Sequence, residues 1–150
     1  MKKIVLTGAA GRLGSYLREP LLKLADELVS SDIVEEIGKL HPNETYVSAD
    51  LSDLPAMIEL LKGADLVVHF GAIGDEAPFD EILQANIVGA YNIWEAAYQN
   101  GVKRVVYASS IHAVGMHKKT DFICTDVPHR PDTCLLYTSP SPRDKRQSRM

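Results

Sequence analysis

The sequence predicts an α/β fold in which a doubly wound parallel sheet carries helices on both faces. Short apolar runs typical of strands alternate along the chain with repeats at helical spacing, and this alternation indicates parallel strands joined by crossover helices. The first apolar run leads through a glycine-rich turn into a helical repeat. A strand that passes to a helix in this way begins many sheets of this class.

Five strands are expected, each an apolar or β-branched run beside turn-forming residues. They cover residues 4–6, 28–31, 45–49, 66–70 and 104–108. After the first strand, four leucines repeat at helical spacing and predict the first helix, with Pro20 as the position of a kink. These leucines are Leu13, Leu17, Leu21 and Leu24.

Two further helices are predicted between the later strands. Ser52 can cap the second helix, Pro55 is tolerated in its first turn and Gly63 can end it. The third helix is longer and is expected over residues 79–100, because Gly101 supplies its stop. No internal repeat or heptad pattern is visible, so these elements predict a single domain.

Three glycines at three-residue spacing follow the first strand, in the segment Thr7-Gly8-Ala9-Ala10-Gly11-Arg12-Leu13-Gly14. Gly8 allows a sharp turn, Gly11 lets backbone approach a phosphate, and Gly14 lets the helix pack closely on the strand. The unpaired amides of the helix's first turn then face a negatively charged ligand. The segment predicts a Rossmann-type domain whose glycine turn holds a nucleotide pyrophosphate.

An acid, Asp32, closes the second strand and lies 18 residues beyond Gly14. A carboxylate there can accept hydrogen bonds from a ribose 2′-hydroxyl and would repel a 2′-phosphate, so NAD is expected rather than NADP. Two alternatives stay open. The first is that Asp32 is only a loop acid or a helix cap. The second is that Arg12 pairs with a 2′-phosphate, which would make NADP the cofactor.

Size, charge and cysteine content exclude several classes of protein. A chain of 150 residues is long enough for one domain with a substantial core. Its formal net charge of −4 offers no general attraction to nucleic acid or to an anionic membrane. The N-terminal apolar run is too short for a secretory signal or a membrane span, so a cytoplasmic location is expected. Cys124 and Cys134 lack metal-ligand spacing, so reduced thiols and no metal are expected.

Small and polar residues follow strands three, four and five, where the carboxyl ends of parallel strands meet the ligand crevice. They are Asp50 and Leu51, the segment 71–74 (Gly-Ala-Ile-Gly) and the segment 109–112 (Ser-Ser-Ile-His). The segment 71–74 is expected to make room for a ligand, whereas Asp50 either contacts it or starts a turn. His112 is of interest only because it lies near Ser110. His69, inside an apolar strand, is expected to be a core histidine with a hydrogen-bond partner.

Taken together, these segments resemble the extended short-chain dehydrogenase/reductase superfamily, also called the NAD-dependent epimerase/dehydratase family. The resemblance covers residues 1–133. It rests on residues 7–14, 32, 50–51, 69–72, 86–92 and 108–110. It implies a Rossmann-type fold, an oxidoreductase and NAD as the cofactor.

The resemblance also implies a role for each matching position. Backbone amides of Arg12 and Leu13 would meet the pyrophosphate, and Asp32 the adenosine ribose. Ser110 matches the catalytic serine, which hydrogen-bonds the reacting oxygen, and His112 matches a substrate-binding position. The positions implied to contact NAD are Gly8, Gly11, Arg12, Leu13, Gly14, Asp32, Asp50, Leu51, Gly71, Ala72 and Ile73.

Within the superfamily, three segments resemble the uronate dehydrogenases, which oxidise a hexuronic acid to a lactone with NAD. These segments are 71–79, 110–112 and 126–132. The resemblance implies substrate contacts at Ser110, Ile111, His112 and Gly74. The family tends to place serine where Gly74 lies and asparagine where Ile111 lies, so these two residues depart from it and the identity of the sugar stays open.

The superfamily's catalytic Tyr-x-x-x-Lys should begin about three residues after Asp132, with the lysine lowering the pKa of the tyrosine. The chain instead has Tyr137 two positions late, Ser141 in place of the lysine and Pro140 between them. We therefore interpret residues 1–133 as the N-terminal, NAD-binding half of such an enzyme, truncated after strand five. Residues 134–150 are interpreted as a disordered tail foreign to the family, and the chain as written should have little or no activity.

The parent protein is expected to oxidise a sugar or sugar acid with NAD. Two alternatives stay open: a nucleotide-sugar epimerase or dehydratase of the same superfamily, and a non-catalytic NAD-binding module whose basic tail contacts a partner. The partner expected is a small-molecule substrate, with a homo-oligomer of the intact parent left open. Nucleic acid and membranes are not expected.

Overall fold

A computed structural model describes residues 1–131, so the predictions for Asp132, Tyr137 and the segment 134–150 lie outside the described residues. Within residues 1–131, five parallel strands form one sheet in the order β3-β2-β1-β4-β5. The strands are β1 Lys3–Thr7, β2 Glu27–Asp32, β3 Glu44–Ser48, β4 Leu66–His69 and β5 Val105–Tyr107. The predicted Rossmann-type parallel sheet is confirmed.

The helices are α1 Arg12–Leu22, α2 Leu54–Leu60, α3 Phe79–Ile82 and α4 Gly89–Gln99. A π-helical segment, Leu83–Val88, joins α3 to α4. The long third helix predicted over residues 79–100 is therefore confirmed in extent, but its middle has a wider turn that the 3.6-residue period does not reveal. Asn100 is its C-cap, and Gly101 follows with φ +67°.

The second helix begins one residue later than predicted. Its N-cap is Asp53 and not Ser52, because the Asp53 carboxylate accepts the N–H of Ala56 at 3.0 Å. A carboxylate also suits the positive end of the helix dipole. Ser52 instead donates its backbone N–H to Asp50 Oδ1 at 2.8 Å. This Asx turn brings the chain from β3 into α2.

The two faces of the sheet bury different cores. The face under α2 and α4 is apolar, and its buried residues include Val5, Val29, Met57, Leu61, Val67 and Ile93. The face that packs against α1 buries a second apolar cluster that includes Ile4, Leu6, Leu21, Leu28 and Val68. Beside this second cluster lie three buried polar residues, Arg18, Ser30 and Glu44.

The chain divides into two compact units, Met1–Ala108 and a second that begins at Ser109. The sheet and both cores belong to the first unit. In the second, residues 109–131 contain one 3₁₀ turn, Ile111–Val114, and none of them is buried. Over the described part of the chain, no helix has the length and apolarity to cross a membrane. Residues 1–131 also contain no group of three or more His, Cys, Asp or Glu side chains placed to hold a metal ion.

Candidate nucleotide-binding site

Two positions of the turn between β1 and α1 leave no room for a side chain. Gly8 has φ +74°, and a Cβ there would lie 2.5 Å from the backbone of Gly71 and Phe70. A Cβ on Gly14 would lie 1.9 Å from the carbonyl oxygen of Gly8. Real Cβ contacts essentially never come so close. The fold itself therefore requires glycine at positions 8 and 14, whether or not a ligand is bound.

Gly11 differs from the other two glycines of the turn. A Cβ at this position would meet only the carbonyl oxygen of Gly8, at 3.2 Å. Gly11 is exposed, and its φ of −65° is open to any residue. The fold therefore makes little demand for glycine here. What its missing side chain does provide is bare backbone at the surface, to which a phosphate can approach closely.

Helix α1 begins without a capping side chain. Its N-cap is Gly11, and its first turn contains no acidic residue. The Gly11 carbonyl accepts the N–H of Ser15 at 2.9 Å, but the amides of the first turn have no acceptor within the helix by geometry. The positive end of the helix dipole lies at the same point. This end of α1 is therefore suited to an anionic ligand.

Asp32 lies at the end of β2, beside the glycine turn. Its Oδ2 accepts the N–H of Ala10 at 2.9 Å, and its Oδ1 accepts the N–H of Ile33 at 2.8 Å. The carboxylate thus ties the end of β2 to the glycine turn. No helix follows it within residues 33–43, which excludes the helix-cap alternative. Since a carboxylate has about four lone-pair sites, Asp32 retains acceptor capacity for ribose hydroxyls.

Leu51, three residues after the end of β3, is packed between two glycines. A Cβ on Gly71 would lie 2.8 Å from Leu51 Cδ1, and a Cβ on Gly89 would lie 2.8 Å from Leu51 Cβ. Asn92 Nδ2 donates to the Leu51 carbonyl oxygen at 2.8 Å. These contacts hold the segment that carries the predicted site residues Asp50 and Leu51. Asp50 Oδ1 accepts the N–H of Ser52 in the Asx turn before α2. Asp50 therefore starts a turn, which is one of the two alternatives that the sequence left open.

The segment after β4 is held by an asparagine of the π-helical turn. Ile73 donates its N–H to Asn86 Oδ1 at 2.8 Å, and Asn86 Nδ2 donates to the Ile73 carbonyl oxygen at 2.9 Å. Gly74, next along, has no atom within 4 Å of an added Cβ. The sequence analysis used residues 86–92 for the family resemblance but did not predict these contacts of Asn86 and Asn92. The available signal was two asparagines inside a predicted helix, where this residue is a poor helix former.

His69 is a core histidine with a hydrogen-bond partner, as predicted. Its ring is buried, and a hydrogen bond of 2.6 Å joins its Nδ1 to Thr7 Oγ1. Burial lowers the pKa of His69 to about 4. The ring is therefore neutral near pH 7, and it serves the contact between β1 and β4 rather than proton transfer.

The second unit carries the remaining predicted residues, Ser110, Ile111 and His112, all of them exposed. Ser110 is the N-cap of the 3₁₀ turn, because its Oγ accepts the N–H of His112 at 3.2 Å. Arg130 donates its N–H to the Ala113 carbonyl oxygen at 2.9 Å and closes the segment behind this turn. Ser110 and His112 thus lie together within the second unit.

The parallel sheet, the glycine turn and the uncapped α1 define a Rossmann-type domain, with a turn suited to an anion at the carboxyl ends of its strands. Comparison with known proteins agrees with this class. The chain belongs to the 3-beta hydroxysteroid dehydrogenase/isomerase family, whose sequence profile matches residues 5–148.

Individual relatives are more specific. Uronate dehydrogenase of Pseudomonas syringae pv. tomato is 44% identical over 131 residues, which cover 87% of this chain and 48% of that protein. A crystal structure of a uronate dehydrogenase mutant from Agrobacterium tumefaciens complexed with NAD has a TM-score of 0.82 at 44% identity, covering 88% of this chain and 49% of that one. MoeE5 in complex with UDP-glucose and NAD has a TM-score of 0.72 at 29% identity, covering 86% and 42%.

The similarity to uronate dehydrogenases predicted from three short segments is confirmed by these comparisons. The chain spans about half the length of the uronate dehydrogenases it matches.

Proposed function

We propose that this chain supplies the cofactor-binding part of an NAD-dependent oxidoreductase that acts on a sugar acid. The observation that carries the proposal is one hydrogen bond, which joins the carboxylate at the end of β2 to the glycine turn. The Asp32 carboxylate accepts the Ala10 amide at 2.9 Å, inside a turn that ends at the uncapped α1. Amides for a pyrophosphate and an acceptor for ribose hydroxyls thus lie side by side, as NAD requires.

The other residues proposed to contact NAD also lie after the carboxyl ends of the strands. The amides of Arg12 and Leu13 would bind the pyrophosphate, and Asp50 with Leu51 the adenine. The segment 71–73, held by Asn86, would border the inner half of the cofactor. When bound, NAD supplies a hydride acceptor. NAD is proposed rather than NADP because the Asp32 carboxylate would repel a 2′-phosphate.

A hexuronic acid is the proposed substrate, supported by 44% identity to a uronate dehydrogenase. Ser110 would orient the reacting hydroxyl, with Ile111, His112 and Gly74 as further substrate contacts. Removal of the hydroxyl proton needs a base, and a phenol without a nearby cation keeps a pKa of about 10. The chain has Ser141 four residues after Tyr137, where the superfamily has lysine. We therefore propose that the chain as written binds NAD weakly and turns over little or no substrate. We also propose that residues 1–133 are the enzyme part and that 134–150 are foreign to it. The alignments to uronate dehydrogenases cover 131 or 132 residues, although the family profile matches as far as residue 148.

A nucleotide-sugar epimerase or dehydratase is the second candidate. The observation that favours it is the likeness to MoeE5, whose structure contains UDP-glucose together with NAD. The departures at Gly74 and Ile111 from the uronate dehydrogenase pattern point the same way. A third candidate, a non-catalytic NAD-binding module, would lose partner binding on deletion of residues 134–150.

A chimera tests the proposal directly. Residues 1–131 would be joined to the remainder of the Pseudomonas syringae uronate dehydrogenase at the aligned position, and the absorbance of NADH followed with galacturonate or with UDP-glucose. We expect NADH to accumulate with NAD and galacturonate. A folded chimera that is inactive with galacturonate, while the intact relative is active, would contradict it. The unextended chain serves as the comparison and should form no NADH above the rate without enzyme.

A further inference from the structure

The connection between β2 and β3, residues 33–43, contains neither helix nor strand. It is held instead by a buried ion pair. Arg18 of α1 donates from Nε to Glu44 Oε1 at 2.7 Å and from Nη2 to Glu44 Oε2 at 3.0 Å. The Glu44 side chain is fully buried, and that of Arg18 is 10% exposed.

The same guanidinium also reaches the connection itself. Arg18 Nη1 donates to the Ile37 carbonyl oxygen at 3.3 Å, and Nη2 donates to the Lys39 carbonyl oxygen at 2.9 Å. The planar guanidinium has five N–H donors, so one side chain can bond both oxygens of a carboxylate and two carbonyls at once. Arg18 thus links α1, the start of β3 and the middle of residues 33–43.

Glu44 receives two more hydrogen bonds, from Ser30 Oγ at 2.6 Å and from the His41 N–H at 2.9 Å. Burial pushes the pKa of Glu44 upward, but hydrogen bonds from Arg18, His41 and Ser30, with the Arg18 charge, outweigh burial and leave that pKa below its ordinary value. The pair is therefore charged at neutral pH.

The held segment begins at the proposed ribose site. Ile33 donates its N–H to Asp32 Oδ1, so the course of the segment helps to orient that carboxylate. Tyr46 OH donates to the Val34 carbonyl oxygen at 2.5 Å and holds the segment from the β3 side. Ile33 and Val34 are both exposed, immediately after Asp32. The position of this edge of the site therefore depends on contacts made several residues away.

We infer that Arg18 is a positioning residue for the ribose end of the nucleotide site, acting through its hydrogen bonds to the 33–43 segment, with Glu44 as its buried counter-charge. The inference rests on the proposed function in one respect only, which is that a nucleotide ribose lies at Asp32. The hold of Arg18 on the segment is a property of the chain alone.

Two single variants separate positioning from stability. Arg18→Lys keeps the buried charge and a bond to Glu44 but loses the fork that reaches both carbonyls. Glu44→Gln keeps the fork on the segment but leaves the Arg18 charge buried without its partner, so it should be the less stable of the two. A purely structural role predicts that nucleotide binding follows stability. The positioning role predicts that Arg18→Lys has the larger effect on binding although it is the more stable variant.

The first experiment needs no nucleotide. Amide hydrogen exchange of the full chain is measured for peptides that cover residues 33–40, with peptides of β1 and β4 as internal controls. We expect exchange over residues 33–40 to be about tenfold faster in Arg18→Lys, with no change in β1 and β4. Unchanged exchange over residues 33–40 would overturn the inference even if NAD binds.

The second experiment compares the dissociation constants of NAD and NADP by calorimetry. Losing one hydrogen bond from a ribose hydroxyl to the carboxylate should weaken NAD binding to Arg18→Lys by about tenfold, with a smaller change for NADP. Lys23→Met, which breaks an exposed pair with Glu19 on the same helix, is the matched control and should leave both constants unchanged.

The outcomes of this second experiment are distinct. If the unsubstituted chain binds no NAD, the proposed function fails and the exchange result alone decides the inference. If the chain binds NAD and Arg18→Lys keeps its ratio of NADP to NAD constants, the inference fails and the proposed function stands. Should Arg18→Lys not fold, Arg18→Met/Glu44→Gln removes both buried charges and carries the same expectations.

Discussion

The two units of the chain differ in how firmly their candidate site residues are held by contacts within the same unit. In Met1–Ala108, the glycine turn, Asp32 and Leu51 are each held by a hydrogen bond or a close packing contact. In residues 109–131, the candidate residues are exposed and the segment contains no tyrosine. The first unit thus holds the residues of the proposed phosphate and ribose site, whereas the tyrosine expected to act with the proposed catalytic Ser110 is not among residues 109–131.

The largest expected effect is on folding, at the glycine turn. Gly14→Ala places a Cβ 1.9 Å from the Gly8 carbonyl oxygen, and backbone on both sides must move. We expect the free energy of unfolding, measured with urea, to fall by about 3 kcal/mol. Gly74→Ala is the control, because nothing lies within 4 Å of its Cβ. Equal stabilities for the two variants would break the distinction between a glycine that the fold requires and one that it does not.

His69 should make the first unit sensitive to acid. Burial lowers the pKa of His69 to about 4, so the folded protein keeps the ring neutral while an unfolded chain takes up a proton below pH 6.5. Stability therefore falls as the pH decreases from 6.5 towards 4, by about 2 kcal/mol between pH 7 and pH 5.

Urea unfolding at both pH values, for the parent chain and for His69→Gln, measures this effect. Glu44, whose pKa is lowered, loses its contribution only as the pH falls further, through its own folded pKa. Glu44 therefore contributes little to the difference in the free energy of unfolding between pH 7 and pH 5. The same pH dependence in His69→Gln would show that the buried ring is not its source.

Gly11 allows the glycine turn to be tested through NAD binding, with little effect on stability. Gly11→Ala should change the free energy of unfolding by less than about 0.5 kcal/mol, since its Cβ meets one atom at 3.2 Å. A methyl group at the phosphate approach should nevertheless weaken NAD binding by about tenfold. Calorimetric titration measures this, with Lys23→Met, which breaks only an exposed pair with Glu19, as the control. Unaltered NAD affinity would mean that the phosphate does not lie against Gly11.

The smallest effect is expected in the second unit. Ser110→Ala removes one hydrogen bond, from the His112 N–H, at an exposed position. We expect the free energy of unfolding to change by less than about 0.5 kcal/mol and NAD affinity to stay the same. A loss of stability as large as that of Gly14→Ala would contradict the difference between the two units.

Local patterns were enough to predict the sheet. Each of the five strands lies within one residue of its sequence-based bounds at both ends, because runs of apolar residues and the turns that flank them are local signals. The requirement for Gly8 and Gly14 was predicted for the same reason. The site residues on the strand ends were chosen from this order, and their roles remain proposals.

Contacts between distant residues were not predicted. Arg18 and Glu44 are 26 positions apart, and in the sequence each is an ordinary charged residue that is expected at the surface. Their burial depends on how α1 packs against β1 and β2, which brings the Arg18 side chain to Glu44 at the start of β3. The cap at Asp53 was missed because Ser52 is an equally good candidate, and the π-helical turn was missed because Leu83–Val88 has no period of its own.

The most direct test of the nucleotide site is to locate NAD on the folded chain by NMR. Amide chemical shifts of the ¹⁵N-labelled full chain would be followed as NAD is added, after cooperative urea unfolding has shown that the chain is folded. We expect the largest shifts at Ala10, Arg12, Leu13 and Ile33, with weaker shifts when NADP is added. A folded chain whose shifts stay constant, or move only away from the glycine turn, would contradict the assignment of an NAD site to the first unit.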